Sequence, residues 1–253
     1  MQVKGIDVSR YQGLVDWNKA FKDGVRYAMI RAVSSNKKGL YVDPYLVKNV
    51  TNANKAGIHV GVYIYTYATT VEQAKKEIKF LMNAIKGLNI ELPVAYDMEY
   101  EPGILALTKA QRTAVAKAAL EAIENAGYYA MIYCSAAFYK NYLNYKELSA
   151  YDLWVAQWGN KYSVPVTPGI WQYSNTGSVN GVAGNVDLDY FYKDYPAIIK
   201  SAGLNGFAKG TQTPTGNVIK VGPMSKGDFD RIYNTVKEMV DDLGNIGLEV
   251  LTE

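Results

Sequence analysis

Apolar and polar residues alternate along the first two hundred positions in a way that predicts strands separated by helices. Apolar residues recur at spacings of three and four in Val71–Ile85 and Thr108–Ala126, which predicts helices there, with Thr108 as an N-cap. Eight short apolar runs have the length and composition of strands: Val3–Asp7, Tyr27–Ala32, His59–Tyr65, Pro93–Glu99, Tyr129–Tyr133, Leu153–Ala156, Gly169–Tyr173 and Val186–Leu188. This strand–helix order predicts an α/β fold with a parallel sheet.

The spacing between predicted strands shortens in the second half of this region. We therefore expect its helices to be short or missing. A (β/α) barrel with an irregular second half fits this pattern better than an open sheet does. In such barrels the functional residues lie at the carboxyl ends of the strands.

The character of the chain changes after Leu204, which predicts a large domain at 1–204. Residues 205–217 are rich in Gly, Thr and other polar residues and are typical of a linker. Residues 218–253 have the pattern of a small strand–helix–strand module. So short a segment cannot bury its apolar helix face alone. We expect it to dock on the large domain or, as we favour, on a second copy of the chain, which would make a homo-oligomer.

Composition excludes several classes of site. His59 and Cys134 are the single histidine and cysteine of the chain, so it cannot build a multi-His or multi-Cys zinc site or an internal disulfide, and we expect no metal and no cofactor. The formal net charge of +3, without Lys/Arg clusters, does not indicate a nucleic-acid partner, and no apolar run is long enough to indicate a membrane partner. The 22 Tyr against 6 Phe suit a surface that stacks on sugar rings and offers hydroxyls.

Two carboxylates close the run Pro93–Tyr100. On a strand, Asp97 and Glu99 would project from the same face, roughly 6.5–7 Å apart. Two like charges that close raise at least one pKa, which keeps a carboxylic acid protonated for acid catalysis. Glycoside hydrolysis needs carboxylates and no metal. Further polar and aromatic residues close the other predicted strands: Asp7, Arg31, Tyr63, Tyr65, Tyr133, Trp158, Gln172 and Asp187.

Several motifs, in this order along residues 1–200, resemble glycoside hydrolase family 25, the N-acetylmuramidase lysozymes. They are Gly5–Gly13 (GIDVSRYQG) followed by Val15–Trp17 (VDW), Gly61–Tyr65 (GVYIY), Ala95–Glu99 (AYDME), Leu153–Trp158 (LWVAQW), Trp171–Ser174 (WQYS) and Gly181–Asp189 (GVAGNVDLD). The resemblance implies a flattened, incomplete (β/α) barrel. It also implies hydrolysis of the β-1,4 bond between N-acetylmuramic acid and N-acetylglucosamine in the peptidoglycan of a Gram-positive cell wall.

The resemblance also implies roles for individual residues. By position, Glu99 matches the general acid/base, and Asp97 matches the partner that holds the substrate's acetamido group or acts near its anomeric carbon. Asp7 and Asp187 match the remaining carboxylates, with Asp187 favoured over its neighbour Asp189 by the Val-Asp-Leu context. The sugar contacts it implies are Tyr63, Tyr65, Tyr133, Trp158, Gln172 and Arg31.

The segment Val221–Asp228 resembles the small wall-binding modules of phage endolysins. The N-terminal residues lack the apolar stretch of a signal peptide. We therefore expect an endolysin that is made in the host cytoplasm and acts on the cell wall after release.

Three alternatives stay open at this point. The nucleophile is the substrate's own acetamido oxygen or an aspartate, Asp97 or Asp187. A non-catalytic glycan-binding protein on the same fold would retain the aromatic residues, although it would tolerate loss of the carboxylates that are present here. A chitinase-like barrel is less favoured, because Pro93–Tyr96 stands where that family has alternating aspartates.

Overall fold

The computed structural model describes residues 2–36 and 38–209. The strands within these residues are β1 (Val3–Val8), β2 (Tyr27–Asn36), β3 (Gly39–Val42), β4 (His59–Tyr65), β5 (Val94–Asp97), β6 (Ala130–Ser135), β7 (Asp152–Ala156), β8 (Ile170–Gly177) and β9 (Val186–Phe191). The helices are α1 (Trp17–Lys22), α2 (Leu46–Lys55), α3 (Val71–Ile85), α4 (Pro102–Leu105), α5 (Lys109–Asn125), α6 (Ala136–Tyr142) and α7 (Tyr195–Ala202), with a 3-10 turn at Tyr145–Leu148. The predicted linker and C-terminal module lie outside the described residues.

Eight of these strands close into a barrel. The order is β1-β9-β8-β7-β6-β5-β4-β2, and β1 pairs with β2 to complete the ring, while β3 is added at the outer side of β2. The predicted α/β barrel with an irregular second half is confirmed. The sheet itself is complete. Among the ring strands of the described residues, the two connections without a helix are those from β7 to β8 and from β8 to β9.

The prediction of an all-parallel sheet was wrong for β9. This strand runs antiparallel to both of its neighbours, β1 and β8. Residues 178–185, which join β8 to β9, are too few for the crossover of a dozen or more residues that a parallel connection needs. The chain therefore turns back as a hairpin.

Two long helices follow their sequence patterns closely. Helix α3 spans Val71–Ile85 as predicted, and Thr70 caps it by accepting from the Gln73 amide. Helix α5 begins directly after Thr108, which forms a reciprocal capping box with Gln111. Both helices bury their apolar faces against the sheet side of the domain. None of the helices in the described part of the chain is long and apolar enough to cross a membrane.

Other predicted boundaries need correction. Strand β5 ends at Asp97, so Glu99 lies in the irregular segment beyond it and is not a strand residue. Strand β2 continues past Ala32 to Asn36 because it pairs there with β3, a partner that the sequence analysis missed. The four residues of β3 are exposed or half-buried and show no apolar alternation that could have revealed it.

Side chains on the strands alternate between two buried clusters. Ile30, Val62 and Tyr96 belong to the cluster that packs between the sheet and the helices. Met29 and Ala95, their neighbours along the chain, belong to a second cluster inside the ring, together with Tyr63, Met131, Tyr133 and Trp154. Towards the carboxyl ends of the strands the inward positions become polar. The barrel is therefore apolar at one end and polar at the other.

Gly61 sits where the interior leaves no room for a side chain. A Cβ built there would lie 2.5 Å from Met29 Sδ and 2.7 Å from the Pro93 carbonyl oxygen. We predict that Gly61→Ala lowers the free energy of unfolding by about 1–3 kcal/mol, because overpacked cores must shift backbone or leave favoured rotamers.

The control is Gly103→Ala in α4, where the nearest atom outside the helix is Thr69 Cγ2 at 3.1 Å. Alanine there should change stability little or improve it, since glycine is a poor helix former. Denaturant unfolding of both variants checks the prediction. Equal effects of the two substitutions would contradict it.

Candidate active site

The polar end of the barrel collects the carboxyl groups that the sequence analysis singled out. Asp7 is the last residue but one of β1, and Asp97 is the last residue of β5. Asp187 was expected at the carboxyl end of its strand, but it lies at the start of β9. Because β9 is antiparallel, its first residues reach the same edge, and Asp187 pairs directly with Asp7 in the β1–β9 register.

Asp97 and Glu99 lie close together even though Glu99 is outside the strand. Their carboxyl groups are within hydrogen-bonding reach, and Asp97 Oδ1 accepts from no N–H or O–H group of the described residues. Burial, then the charge of Glu99, raises the pKa of Asp97 well above its usual value. Burial also raises the pKa of Glu99, although the hydrogen bond with Asp97 opposes this. The pair therefore retains a proton that ordinary carboxyls would release.

A third carboxylate, Glu101, continues this alternation and was missed. Its Oε1 accepts a hydrogen bond of 2.6 Å from the Tyr65 hydroxyl. Its charge raises the pKa values of Asp97 and Glu99 further, as a lesser cause than burial. The signal available in the sequence was the spacing of two residues that Glu101 shares with Asp97 and Glu99.

Gln172 links Asp7 to two of the predicted sugar contacts. Its Nε2 donates to Asp7 Oδ2 at 2.8 Å. Its Oε1 accepts from the Tyr133 hydroxyl at 3.2 Å and from Trp158 Nε1 at 3.0 Å. These bonds fix the orientation of the amide, and they hold Trp158 by its nitrogen while 59% of the residue stays exposed. The exposed indole face is free to meet a ligand.

The pKa of Asp7 depends on the carboxyl groups around it. Burial raises its pKa first, and the charges of Asp189 and Asp187 raise it further, while the Gln172 hydrogen bond lowers it. Asp187 is half-buried, whereas Asp189 is completely buried. Tyr63 lies among the same groups, because the charges of Asp7, Asp97 and Asp187 all act on its hydroxyl. The structure thus brings Asp7, Asp97, Glu99, Asp187, Tyr63 and Tyr133 together.

Arg31 also lies at this edge, but its hydrogen bonds go to the protein. Its Nε and Nη2 donate to Asp43 Oδ2 at 3.1 and 2.9 Å, and both side chains are buried. Asp43 also accepts from the Arg10 and Tyr45 backbone amides. The Arg31 charge lowers the pKa of Asp97. Asp43 was missed, since nothing in its sequence context marks it as the partner of Arg31.

Two tyrosine rings, one exposed and one half-buried, form a rim beside Arg31 that was also missed. We call Arg10, Tyr11 and Tyr41 the arginine rim. The Arg10 guanidinium carbon lies 5.2 Å from the Tyr11 ring centroid and 5.4 Å from that of Tyr41, and Arg31 lies 5.4 Å from Tyr11. Tyr11 is 74% exposed. Cations over exposed rings form a surface that can meet both a sugar face and an anion.

His59 lies at the opposite end of the barrel, where β4 begins. Its Nδ1 is 2.7 Å from Glu91 Oε2, in a cluster that also contains Lys200. This position leaves it no part in the carboxyl site. Within residues 2–36 and 38–209, no group of three or more His, Cys, Asp or Glu side chains converges in a way that could hold a metal ion.

Comparisons with known proteins agree with this geometry. Residues 6–182 match the sequence model of glycosyl hydrolases family 25. The autolytic lysozyme of Clostridium acetobutylicum is 31% identical over 191 residues, a match that covers 75% of this chain and 56% of that protein. Lysozyme M1 of Streptomyces globisporus is 30% identical over 203 residues, covering 75% of this chain and 67% of that protein. This chain therefore matches little more than half the length of the clostridial relative.

Solved structures show the same fold. The CTP1L endolysin superposes with a TM-score of 0.69 at 27% identity, covering 79% of this chain and 70% of the other. The lysozyme from Streptomyces coelicolor superposes with a TM-score of 0.67 at 26% identity, covering 81% of this chain and 98% of the other.

The Arg31–Asp43 pair gives a stability prediction. We expect Asp43→Asn to lower the free energy of unfolding by about 3–5 kcal/mol, because it leaves the Arg31 charge buried without a counter-ion. The matched control is Glu121→Gln, which removes one partner of the exposed Lys117–Glu121 pair on α5. That change should stay within about 0.5 kcal/mol. Urea unfolding at neutral pH measures both, and a small effect of Asp43→Asn would contradict the expected cost.

Proposed function

Because this chain belongs to glycosyl hydrolase family 25, we propose that it hydrolyses the β-1,4 bond between N-acetylmuramic acid and N-acetylglucosamine in bacterial peptidoglycan. The observation that carries the proposal is the buried carboxyl pair Asp97–Glu99 at the polar end of the barrel. The similarity to proteins named as lysozymes supports the substrate class.

Glu99 is the proposed general acid. It is half-buried, so it can reach a substrate, while burial keeps its pKa raised. A carboxyl group with a raised pKa holds its proton to higher pH and can transfer it to the glycosidic oxygen as that bond breaks. The same group, once ionised, can then take a proton from the water that completes hydrolysis.

Asp97 is the proposed assistant. It is almost fully buried and lies beside Glu99, so it suits contact with the substrate's acetamido group better than attack across a cleft. In this mechanism the acetamido oxygen bonds to the anomeric carbon while the leaving oxygen takes the Glu99 proton. Water then attacks the same carbon and releases the acetamido oxygen. Asp97 holds the amide throughout and accepts its N–H.

The remaining groups position the glycan. Trp158 offers its exposed face for a sugar ring. Gln172 holds the indole in place, because its Oε1 accepts a hydrogen bond from Trp158 Nε1. The arginine rim lies beside Arg31, and Arg10 is exposed to solvent. Peptidoglycan carries carboxylates on its muramic acid and peptide arms, so we place those arms toward Arg10, away from the carboxyl cluster. We also propose a Gram-positive wall as the target, which the match to a clostridial lysozyme supports.

The role of Glu99 is tested by Glu99→Gln. We expect the release of reducing ends from purified peptidoglycan to fall by roughly 10²–10⁴-fold, because the amide keeps the shape and lacks the transferable proton. Glu121→Gln serves as the surface control and should leave the rate unchanged. Equal rates for Glu99→Gln and the native protein would overturn the assignment. Inactivity of both, with binding to the wall intact, would favour the glycan-binding alternative.

The mechanism predicts the stereochemistry of the first product. Two displacements at one carbon restore the original configuration, whether the first nucleophile is the acetamido oxygen or an aspartate. Proton NMR of a soluble muropeptide oligomer, recorded within the first turnovers, should therefore show the β anomer before mutarotation. An initial α anomer would exclude both versions. An oligomer whose acetamido group is replaced by a hydroxyl separates them, since only an enzymic nucleophile would still cleave it.

A further inference from the structure

Asp189 is a fully buried carboxyl group for which the proposed mechanism has no use. It lies on β9 with none of its surface exposed. Trp154 Nε1 donates to its Oδ1 at 2.8 Å. Its Oδ2 has no protein donor among the described residues, although it is equally inaccessible to water.

The surroundings of Asp189 offer no positive charge within hydrogen-bonding distance in the described part of the chain. From β1, the Asp7 carboxyl lies within hydrogen-bonding reach, and Asp187 is the other charged group of β9 that acts on it. The strands β7 and β8 contribute the neutral groups Trp154 and Gln172. Farther across the barrel end lie Asp97, whose charge acts on Asp7, and the Tyr63 hydroxyl, on which the charges of Asp97 and Arg31 act.

Three carboxyl groups in this arrangement cannot all be ionised, because like charges in a desolvated site disfavour the charged form. Asp189 has the weakest compensation, with one neutral donor and no contact with water. Burial raises its pKa to about 8, and the charge of Asp187 adds to this, while the hydrogen bonds with Trp154 and Asp7 lower it. Burial without a cation or water therefore favours the uncharged form of this carboxyl.

We propose that Asp189 is a positioning residue that stays protonated while the site works and shares that proton with Asp7 in a hydrogen bond. Gln172 and Asp189 then both hold the Asp7 carboxyl by hydrogen bonds, and Asp187 lies within hydrogen-bonding reach of it as well. Asp189 cannot touch a substrate, so it acts through Asp7 alone. The activity part of this inference rests on the proposed function, whereas the protonation part does not.

The first test needs no substrate and uses Asp189→Asn. Asparagine is the neutral analogue, since its oxygen can accept from Trp154 and its amino group can donate to Asp7. In the native protein, Asp189 binds a proton in the folded state that the unfolded chain releases above a pKa of about 3.9. Stability should thus fall as pH rises from about 4 to about 8. The slope of the unfolding free energy against pH should be smaller in the variant, by the equivalent of at least about one bound proton. Urea unfolding across this pH range measures that slope.

Asp189→Leu is the matched counterpart, similar in size but unable to bond to either neighbour. It should be less stable than Asp189→Asn at every pH, because Trp154 Nε1 is left buried without an acceptor. Identical pH dependence in the native protein and Asp189→Asn would show that Asp189 is ionised throughout, which overturns the proposal. Failure of Asp189→Asn to fold would overturn it as well, since a neutral partner with both hydrogen bonds should be accepted.

The second test measures reducing-end release against pH. Asp189→Asn should keep kcat within about threefold of the native value at pH 6, which corresponds to a small change in the activation free energy. It should also retain activity to higher pH than the native protein. Asp189→Leu should lower kcat by a far larger factor than it changes KM. A loss in Asp189→Asn equal to that in Asp189→Leu would contradict the proposal by showing that the charge is required. If the native protein does not cleave peptidoglycan, the unfolding test still decides the protonation of Asp189.

Discussion

The pairing of β1 with both β2 and β9 is the constraint on which the rest of the structure depends. β1 joins β2 in parallel and β9 in antiparallel register, and this closes the eight-stranded ring. Closure brings Asp7, near the start of the chain, against Asp187, and places both at the edge where β5 ends in Asp97. Without the β1–β9 pairing, Asp7 and Asp187 would lie at opposite edges of the sheet. The site is therefore a consequence of the closed barrel and not of any local motif.

Closure also creates the electrostatic problem that the site has to manage. Six carboxyl groups of the described residues meet at one end of a desolvated barrel: Asp7, Asp97, Glu99, Glu101, Asp187 and Asp189. Neutral donors hold them more than cations do, since Gln172, Trp154 and Tyr65 each donate to one of them. Arg31 is the nearby cation, and Asp43 already neutralises it. The carboxyl groups consequently keep protons, and the apolar half of the barrel stabilises the fold against this cost.

Much of this could be predicted from sequence where the information is local. Helix α3 and the capping of α5 follow from spacing and cap residues within a single segment. The neighbourhood of Asp97 and Glu99 was also predicted, although for a wrong reason, because the strand stops at Asp97. The direction of β9, the Arg31–Asp43 pair and the burial of Asp189 depend on contacts between distant segments. Periodicity carries no information about such contacts, and the preference for Asp187 over Asp189 rested on local context alone.

The two carboxyl clusters follow one physical rule. At the end of β5, Asp97 is buried and Glu99 is half-buried; where β1 meets β9, Asp189 is buried and Asp187 is half-buried. In each cluster the buried member cannot shed its proton cheaply, since its charge would be neither hydrated nor paired. Burial raises the pKa of the half-buried member as well, so both carboxyl groups of a cluster hold protons to higher pH than exposed carboxyls do. Chemistry at this barrel end accordingly depends on where the protons reside, and burial decides that before any substrate arrives.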